Sequence, residues 1–178
     1  MIPVEYFWFA LILMLGIIGA VRGLAKELGV TTIVALSLFV LKFAWKQFLP
    51  TVTALAEDAP LGLSEPMLRA IVFSGAVIFV AVISYTGIVL QFPFKNFGRV
   101  GTGLFGFLGG LVNGYMVVGT VWDVVAHANY FSPRASIVST ETLTSVHQSI
   151  VGLLPVTFIN QYLLLAIGMI LLLAIVLK

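Results

Sequence analysis

Gly98, Thr102, Gly106, Gly110 and Gly114 stand four residues apart in the stretch GRVGTGLFGFLGGLVNGYMVVG, which holds no charge after Arg99. On an α-helix that spacing makes one smooth stripe, about 24 Å long at roughly 1.5 Å per residue. So much glycine weakens a helix in water, where each one costs about 0.5–1 kcal/mol relative to alanine. In lipid the balance differs. Apolar surface gives helices no incentive to associate inside hydrocarbon, so small residues that let two backbones approach closely become the pairing device. A chain built around such a stripe is constrained to be a bundle of helices in a membrane.

Composition agrees. The chain is 61% hydrophobic and 9% charged, with a mean hydropathy of +1.16, whereas a soluble domain carries about 25% charged residues. Its 178 residues form a single membrane domain, all-α, of about five transmembrane helices, the glycine-rich one being the fourth. Nine basic and seven acidic side chains give a formal net charge of +2. They are dispersed along the chain, which points away from a nucleic-acid partner. With no cysteine, disulfides, thiolate metal sites and cysteine nucleophiles are excluded together.

Taken in order, the hydropathy predicts spans over about 4–22, 28–48, 69–92, 100–122 and 157–177. The N-terminus carries Glu5 and no basic leader, so the first run reads as a span and not a cleaved signal. Gly16 with Ala20, and Gly19 with Gly23, give this helix a close-packing edge of its own. Arg22 to Glu27 reads as a tight polar connection. Lys42 and Lys46 share a face at the end of the second span and read as interfacial anchors beside Trp45. Pro50 is expected to close that helix, and 50–66 to form an acidic loop ending in a Ser64 cap with Pro66 in the next first turn. Ser74, Ser84 and Thr86 are expected to bond their own helix backbone. Pro93 is expected to end the third span. Trp122 and Tyr130 read as an aromatic belt, and Asp123 as the return to water. Residues 127–155 form an outer loop in which Ser139 to Leu153 carries the pattern of a short amphipathic helix. The short, net-positive first and third connections place the N-terminus outside and Lys178 inside.

A family resemblance rests on particular residues. Gly19-x-x-Arg22-Gly23, then Lys26-Glu27-Leu28, then Arg99 leading into glycines at every fourth position, resembles the colicin V production protein family over roughly residues 1–125. The resemblance implies a small bacterial inner-membrane protein with about four helices, associated with toxin production and envelope stress. The chain departs from the family pattern in three places. Gly98 stands where an acid usually precedes the arginine. Gly109 or Asn113 stands where a basic residue usually sits, and the fifth helix with its loop extends past the common core.

Little in the chain speaks of catalysis. Asp123 and His127 lie four apart, with Glu141 and His147 in the following loop, but without an HExxH-type pattern they read as solvated side chains, and no metal or other cofactor is expected. No GxSxG, paired intramembrane carboxylates or P-loop occurs, and no catalytic residue is assigned. Asn113 is the polar residue within a span most suited to a contact with a neighbouring helix. Two functions remain. One is a non-enzymatic scaffold or accessory subunit of a membrane complex, whose partners are the bilayer and other membrane subunits, or a second copy through the fourth helix. The other is a small channel or transporter.

Overall fold

The computed structural model describes residues 4–58, 64–87, 90, 92, 98–128 and 149–177, with the side chains of 4, 55–58 and 98–100 outside the description. Among these residues helix is the only regular secondary structure, and there is no strand. Helix α1 runs Val4–Arg22, α2 Leu24–Asp58, α3 Glu65–Thr86 and α4 Gly98–His127. A four-residue helix α5, Pro155–Phe158, precedes α6, Gln161–Val176. The four long helices are each long and apolar enough to cross a membrane. The fifth span expected over 157–177 is instead divided. Pro155 opens α5, and Asn160 leaves helical geometry to cap α6, its side chain accepting from the Tyr162 amide at 3.0 Å. At 16 residues, α6 is shorter than the about 20 that a span requires.

The surface identifies the solvent. Phe7, Ile17, Phe79, Val82, Leu104 and Ile170 are exposed, while Glu27, Asn113, Thr120 and Asp123 are buried to 1% or less. A water-soluble bundle would reverse this arrangement. Outward apolar side chains around a partly polar interior are what a hydrocarbon surrounding demands. The chain is a membrane protein.

Helix α4 is the centre of the bundle and touches α1, α2, α3 and α5. Its most extensive partner is α1, through the glycine stripe. A Cβ placed on Gly106 would sit 2.9 Å from the Gly23 Cα, and one on Gly19 would sit 2.7 Å from the Gly110 Cα. One on Gly114 would meet the Ile12 carbonyl at 2.9 Å. The glycines let the two helices meet backbone to backbone, and only hydrogen fits between them. Thr102 continues the stripe beside Gly23, whereas Gly98 opens the helix and its surroundings lie outside the description.

Several boundaries differ from the sequence expectation. Helix α1 ends in a single joint residue, Gly23, at φ +82°, a conformation that glycine adopts without steric penalty. Its amide donates to the Gly19 carbonyl at 2.8 Å, and α2 starts at once, so Lys26 and Glu27 belong to a helix and not to a polar connection. Helix α2 then continues through Pro50 to Asp58. A proline inside a helix forfeits one amide donor. The carbonyl that loses this donor is that of Lys46; the Thr53 hydroxyl, 3.1 Å from the Leu49 carbonyl and 2.9 Å from that of Pro50, bonds the following turn and does not replace it. Helix α3 begins about one turn earlier than expected, at Glu65, with Ser64 in the cap position but making no side-chain cap bond. It ends at Gly87, whose extended backbone turns away, rather than at Pro93. The Thr86 hydroxyl bonds the Val82 carbonyl, but the buried Ser74 and Ser84 hydroxyls have no partner among the described residues.

Trp122 is not an interfacial belt residue. It is fully buried and stacks on Trp8 with ring centroids 5.8 Å apart and an 11° interplanar angle. Helix α4 runs past it to His127, so Asp123 does not mark a return to water. The amphipathic segment expected over Ser139 to Leu153 falls mostly outside the described residues, as do Lys95, Tyr130, Glu141, His147 and Lys178; 149–151 are helical.

Candidate functional site: a buried carboxylate tying four helices

The one-residue joint at Gly23 fixes where the first polar side chains of α2 go. Glu27 falls in the first turn of α2, where the positive end of the helix dipole favours a carboxylate. Thr31, Val34 and Leu38 follow it at spacings of four, three and four, which puts Glu27 on the inward face of the helix. Its side chain is wholly buried. On the opposing helix, a Cβ at Gly109 would lie 2.9 Å from the Glu27 Cβ. Gly109, outside the four-residue stripe, is therefore what lets the acidic side chain approach α4.

Three donors converge on the carboxylate. Arg22 Nη1 donates to Oε1 at 2.9 Å, Asn113 Nδ2 to Oε2 at 2.9 Å and the Tyr85 hydroxyl to Oε2 at 3.0 Å. Asn113 also donates to the Glu27 carbonyl at 2.9 Å. The Thr31 hydroxyl lies 2.8 Å from Asn113 Oδ1 and 3.0 Å from the Glu27 carbonyl, and its one proton serves one of them at a time. Arg22 reaches on to the Ser84 carbonyl at 3.3 Å, with its guanidinium 4.4 Å from the centroid of the Tyr85 ring. The site thus joins the end of α1, the start of α2, the end of α3 and the middle of α4. A buried charge is tolerated where it is paired and its remaining lone pairs are satisfied, and this one meets both conditions.

A second polar cluster lies at the other end of the bundle. Asp123, 1% exposed, accepts from the Thr157 amide at 2.8 Å and the Thr157 hydroxyl at 3.0 Å, and so holds α5 against α4. His127 Nδ1 lies 3.0 Å from Asp123 Oδ1 and 2.8 Å from the Asp123 carbonyl. Lys42 does not extend to headgroups as a free anchor. Its ammonium donates to the Val156 carbonyl at 2.8 Å and to that of Ile159, carbonyls at the end of α5 that have no helical partner of their own. Lys46 is exposed, and Trp45 packs edge-on against Phe73 at 5.7 Å. Among the described residues no three side chains of metal-ligating type come together. Between the two clusters lies a layer of Val30, Val34, Leu38, Val77, Met116, Val117 and Leu164, all buried and apolar. On α4 it lies within the roughly 15 Å between Asn113 and Asp123, at about 1.5 Å per residue, a stretch that also buries Thr120, whose hydroxyl donates to the Met116 carbonyl of its own helix.

No family model, curated protein or solved structure matches the chain.

Of the sequence-predicted residues, the structure gathers Arg22, Glu27 and Asn113 into the first cluster and Gly19, Gly23, Thr102, Gly106, Gly110 and Gly114 into the α1–α4 seam. Arg99 lies in the first turn of α4, with its side chain outside the description. The buried ionisable groups, absent from the sequence reading, are a correction: Glu27 and Asp123 both lie inside the bundle. Tyr85 and Thr31 were missed too, and in the sequence Gly109 reads only as a departure from the family pattern. Tyr85 carries no local signal, but Glu27 and Thr31 become visible once the second helix is extended back to Leu24, because both then share the face of Val34 and Leu38.

Proposed function

We propose that the chain is a multi-pass interaction protein of the colicin V production type, a scaffold or accessory subunit of an envelope complex in the bacterial inner membrane, with no catalytic role. The observation that carries this reading is the apolar layer between the two polar clusters. The side chains that could conduct or react are engaged in tying helices together, which suits a rigid body presenting an apolar outer surface to membrane partners. The glycine stripe is occupied by α1, so docking would use the outward faces of α1, α3 and α6. In mild detergent the tagged protein is expected to copurify with a defined set of membrane proteins. Recovery of the protein alone, at full yield and folded, would count against the scaffold.

The second reading, a small channel or transporter, is favoured by one observation: a buried carboxylate stands on each side of the apolar layer, an arrangement compatible with a closed gate. Reconstitution separates the two. The scaffold reading expects liposomes containing the protein to show ion and solute fluxes equal to protein-free liposomes. Protein-dependent flux abolished by Glu27→Gln would put transport first.

For orientation, the reading places the N-terminus outside and the α1–α2 joint in the cytoplasm; a cytoplasmic C-terminus further requires α6 to cross as a fifth span. A single cysteine introduced at Lys26 is then expected to resist an impermeant thiol reagent in intact cells while one at Asp58 reacts. The reverse pattern would invert the topology.

A further inference from the structure

Helix α3 opens with Glu65, Pro66 and, one turn on, Arg69. Opposite charges four apart on a helix ordinarily pair, yet Glu65 and Arg69 form no ion pair, and Arg69 Nε is buried with no hydrogen-bond partner among the described residues. Both side chains instead line a cavity of about 200 Å3 that is completed by Asp123, Val124, His127 and Thr157. Glu65, Asp123 and Arg69 line it, and the Lys42 ammonium, outside the lining and held by the Val156 and Ile159 carbonyls, is close enough to interact with Arg69 and Asp123, so the four formal charges in and beside the cavity sum to zero. A site with separated opposite charges and no net charge fits a zwitterion better than an anion.

A second hollow adjoins it. The Arg69 guanidinium lies 5.4 Å from the centroid of the Phe73 ring, and Phe73 forms part of the wall of an apolar groove of about 190 Å3 between α2 and α3, with Leu41, Trp45, Phe48, Leu68 and Val72. The groove is lined by apolar side chains, as an acyl chain requires, and the polar cavity lies at the end of the bundle where α3 starts and α4 finishes. Charge on the headgroup side and hydrocarbon on the tail side match one molecule.

We infer that this pair of hollows binds a phospholipid with a phosphoethanolamine headgroup: Arg69 takes the phosphodiester, Glu65 the ammonium, and the α2–α3 groove one acyl chain. The ammonium is primary and not quaternary because Glu65 accepts N–H donors, and no Phe, Tyr or Trp is among the described residues lining the cavity to enclose a choline. Nothing in this inference depends on the scaffold reading.

The test is lipid retention by the purified full-length protein, measured by native mass spectrometry after controlled delipidation with equimolar phosphatidylethanolamine, phosphatidylcholine and phosphatidylglycerol carrying the same acyl chains. Phosphatidylethanolamine is expected to be retained at least about tenfold over the other two, a ratio one charge-assisted hydrogen bond supplies. Arg69→Gln and Glu65→Gln are each expected to bring that preference to near unity, and Val72→Trp, which fills the groove, to reduce retention of all three lipids. Equal retention of the three lipids by the wild-type protein, or a preference for phosphatidylglycerol, would overturn the inference whether or not the variants fold. A folded Arg69→Gln protein with an unchanged preference would overturn it as well. Water-soluble glycerophosphoethanolamine is expected to raise the melting temperature less than the intact lipid does. An equal rise would remove the acyl groove from the site and reduce it to a receptor for a free headgroup.

Discussion

Gly106→Leu is expected to lose the folded bundle in detergent while still inserting into the membrane. The Gly106 Cβ would lie 2.9 Å from the Gly23 Cα and closer still to the Gly19 carbonyl oxygen. Both neighbours are backbone, so no rotamer change can make room, unlike the situation at Gly16, whose nearest obstacles are the side chains of Leu111 and Phe107. Helices α1 and α4 must move apart by several Å, and the dispersion contacts along the whole seam go with them. Inserting bulk into a packed interior costs about 1–3 kcal/mol where side chains can adjust; here the expected loss is on the order of 3 kcal/mol or more. Gly110→Leu should behave alike, since its Cβ would stand 3.0 Å from the Cα atoms of both Gly16 and Gly19. Leucine favours helix and hydrocarbon, so expression and insertion should persist. The appropriate control is Leu104→Ala, because Leu104 is 57% exposed on the same helix and should change stability by less than about 0.5 kcal/mol. Phe107, which lies against Gly16, is unsuitable. Melting followed by fluorescence or size-exclusion chromatography reads the outcome, and a Gly106→Leu protein as stable as the Leu104→Ala control would show that the seam does not hold the bundle.

The second large effect belongs to Glu27. Removing its carboxylate leaves the Arg22 guanidinium, 16% exposed, without its ion-pair partner, and also frees the Tyr85 hydroxyl and one Asn113 N–H inside the bundle. Breaking a buried pair from one side costs about 3–5 kcal/mol, so Glu27→Ala is expected to destabilise by that amount. Glu27→Gln keeps the shape but directs an N–H2 at a site where three donors already point, and should lose about 2 kcal/mol or more. The double variant Glu27→Leu with Arg22→Met is the informative one. With neither charge present, no ion is stranded, and the loss should be smaller than the sum of the two single changes by about 1–3 kcal/mol. Additivity of the two, measured by denaturant or thermal unfolding in the same detergent, would mean that Arg22 and Glu27 do not act as a pair.

The contrast between these two sites explains what the sequence could reveal. The seam was legible because it is written twice at helical spacing, once in Gly106, Gly110 and Gly114 and again in Gly16, Gly19 and Gly23; periodicity is a local property of the chain. The Glu27 cluster is non-local. Its members come from four helices, and Asn113 is 86 positions away from Glu27, so no window along the chain contains both. The run RGLAKEL reads as a polar turn unless it is known that one left-handed glycine suffices to join α1 to α2. Helix ends failed for a related reason. Pro50 and Pro93 are reliable punctuation in a helix that depends on its own hydrogen bonds, but α2 continues through Pro50, and α3 stops before Pro93 because Gly87 turns first. Asp123 and Trp122 look like interfacial residues in a sequence because of their chemistry. Thr157 and Trp8, which draw them inside, are distant in sequence.

The central position of α4 bears on how the chain is made. Synthesis proceeds from the N-terminus, and α1, α2 and α3 enter the bilayer before the residues that hold them together exist. With only Gly23 between them, α1 and α2 have no connecting loop to thread separately and must be inserted as a hairpin. Yet the two helices touch each other little; α1 packs chiefly on α4. The hairpin therefore waits open, its Gly16 and Gly19 face bare to lipid and Glu27 still lacking Asn113, from the end of α2 at Asp58 until α4 is complete at His127, 69 residues later. A nascent chain interrupted before α4 would carry an uncovered acid and an unfilled groove at membrane depth, features that membrane quality control can distinguish from the finished fold. The last long helix to arrive converts three loosely associated spans into one body.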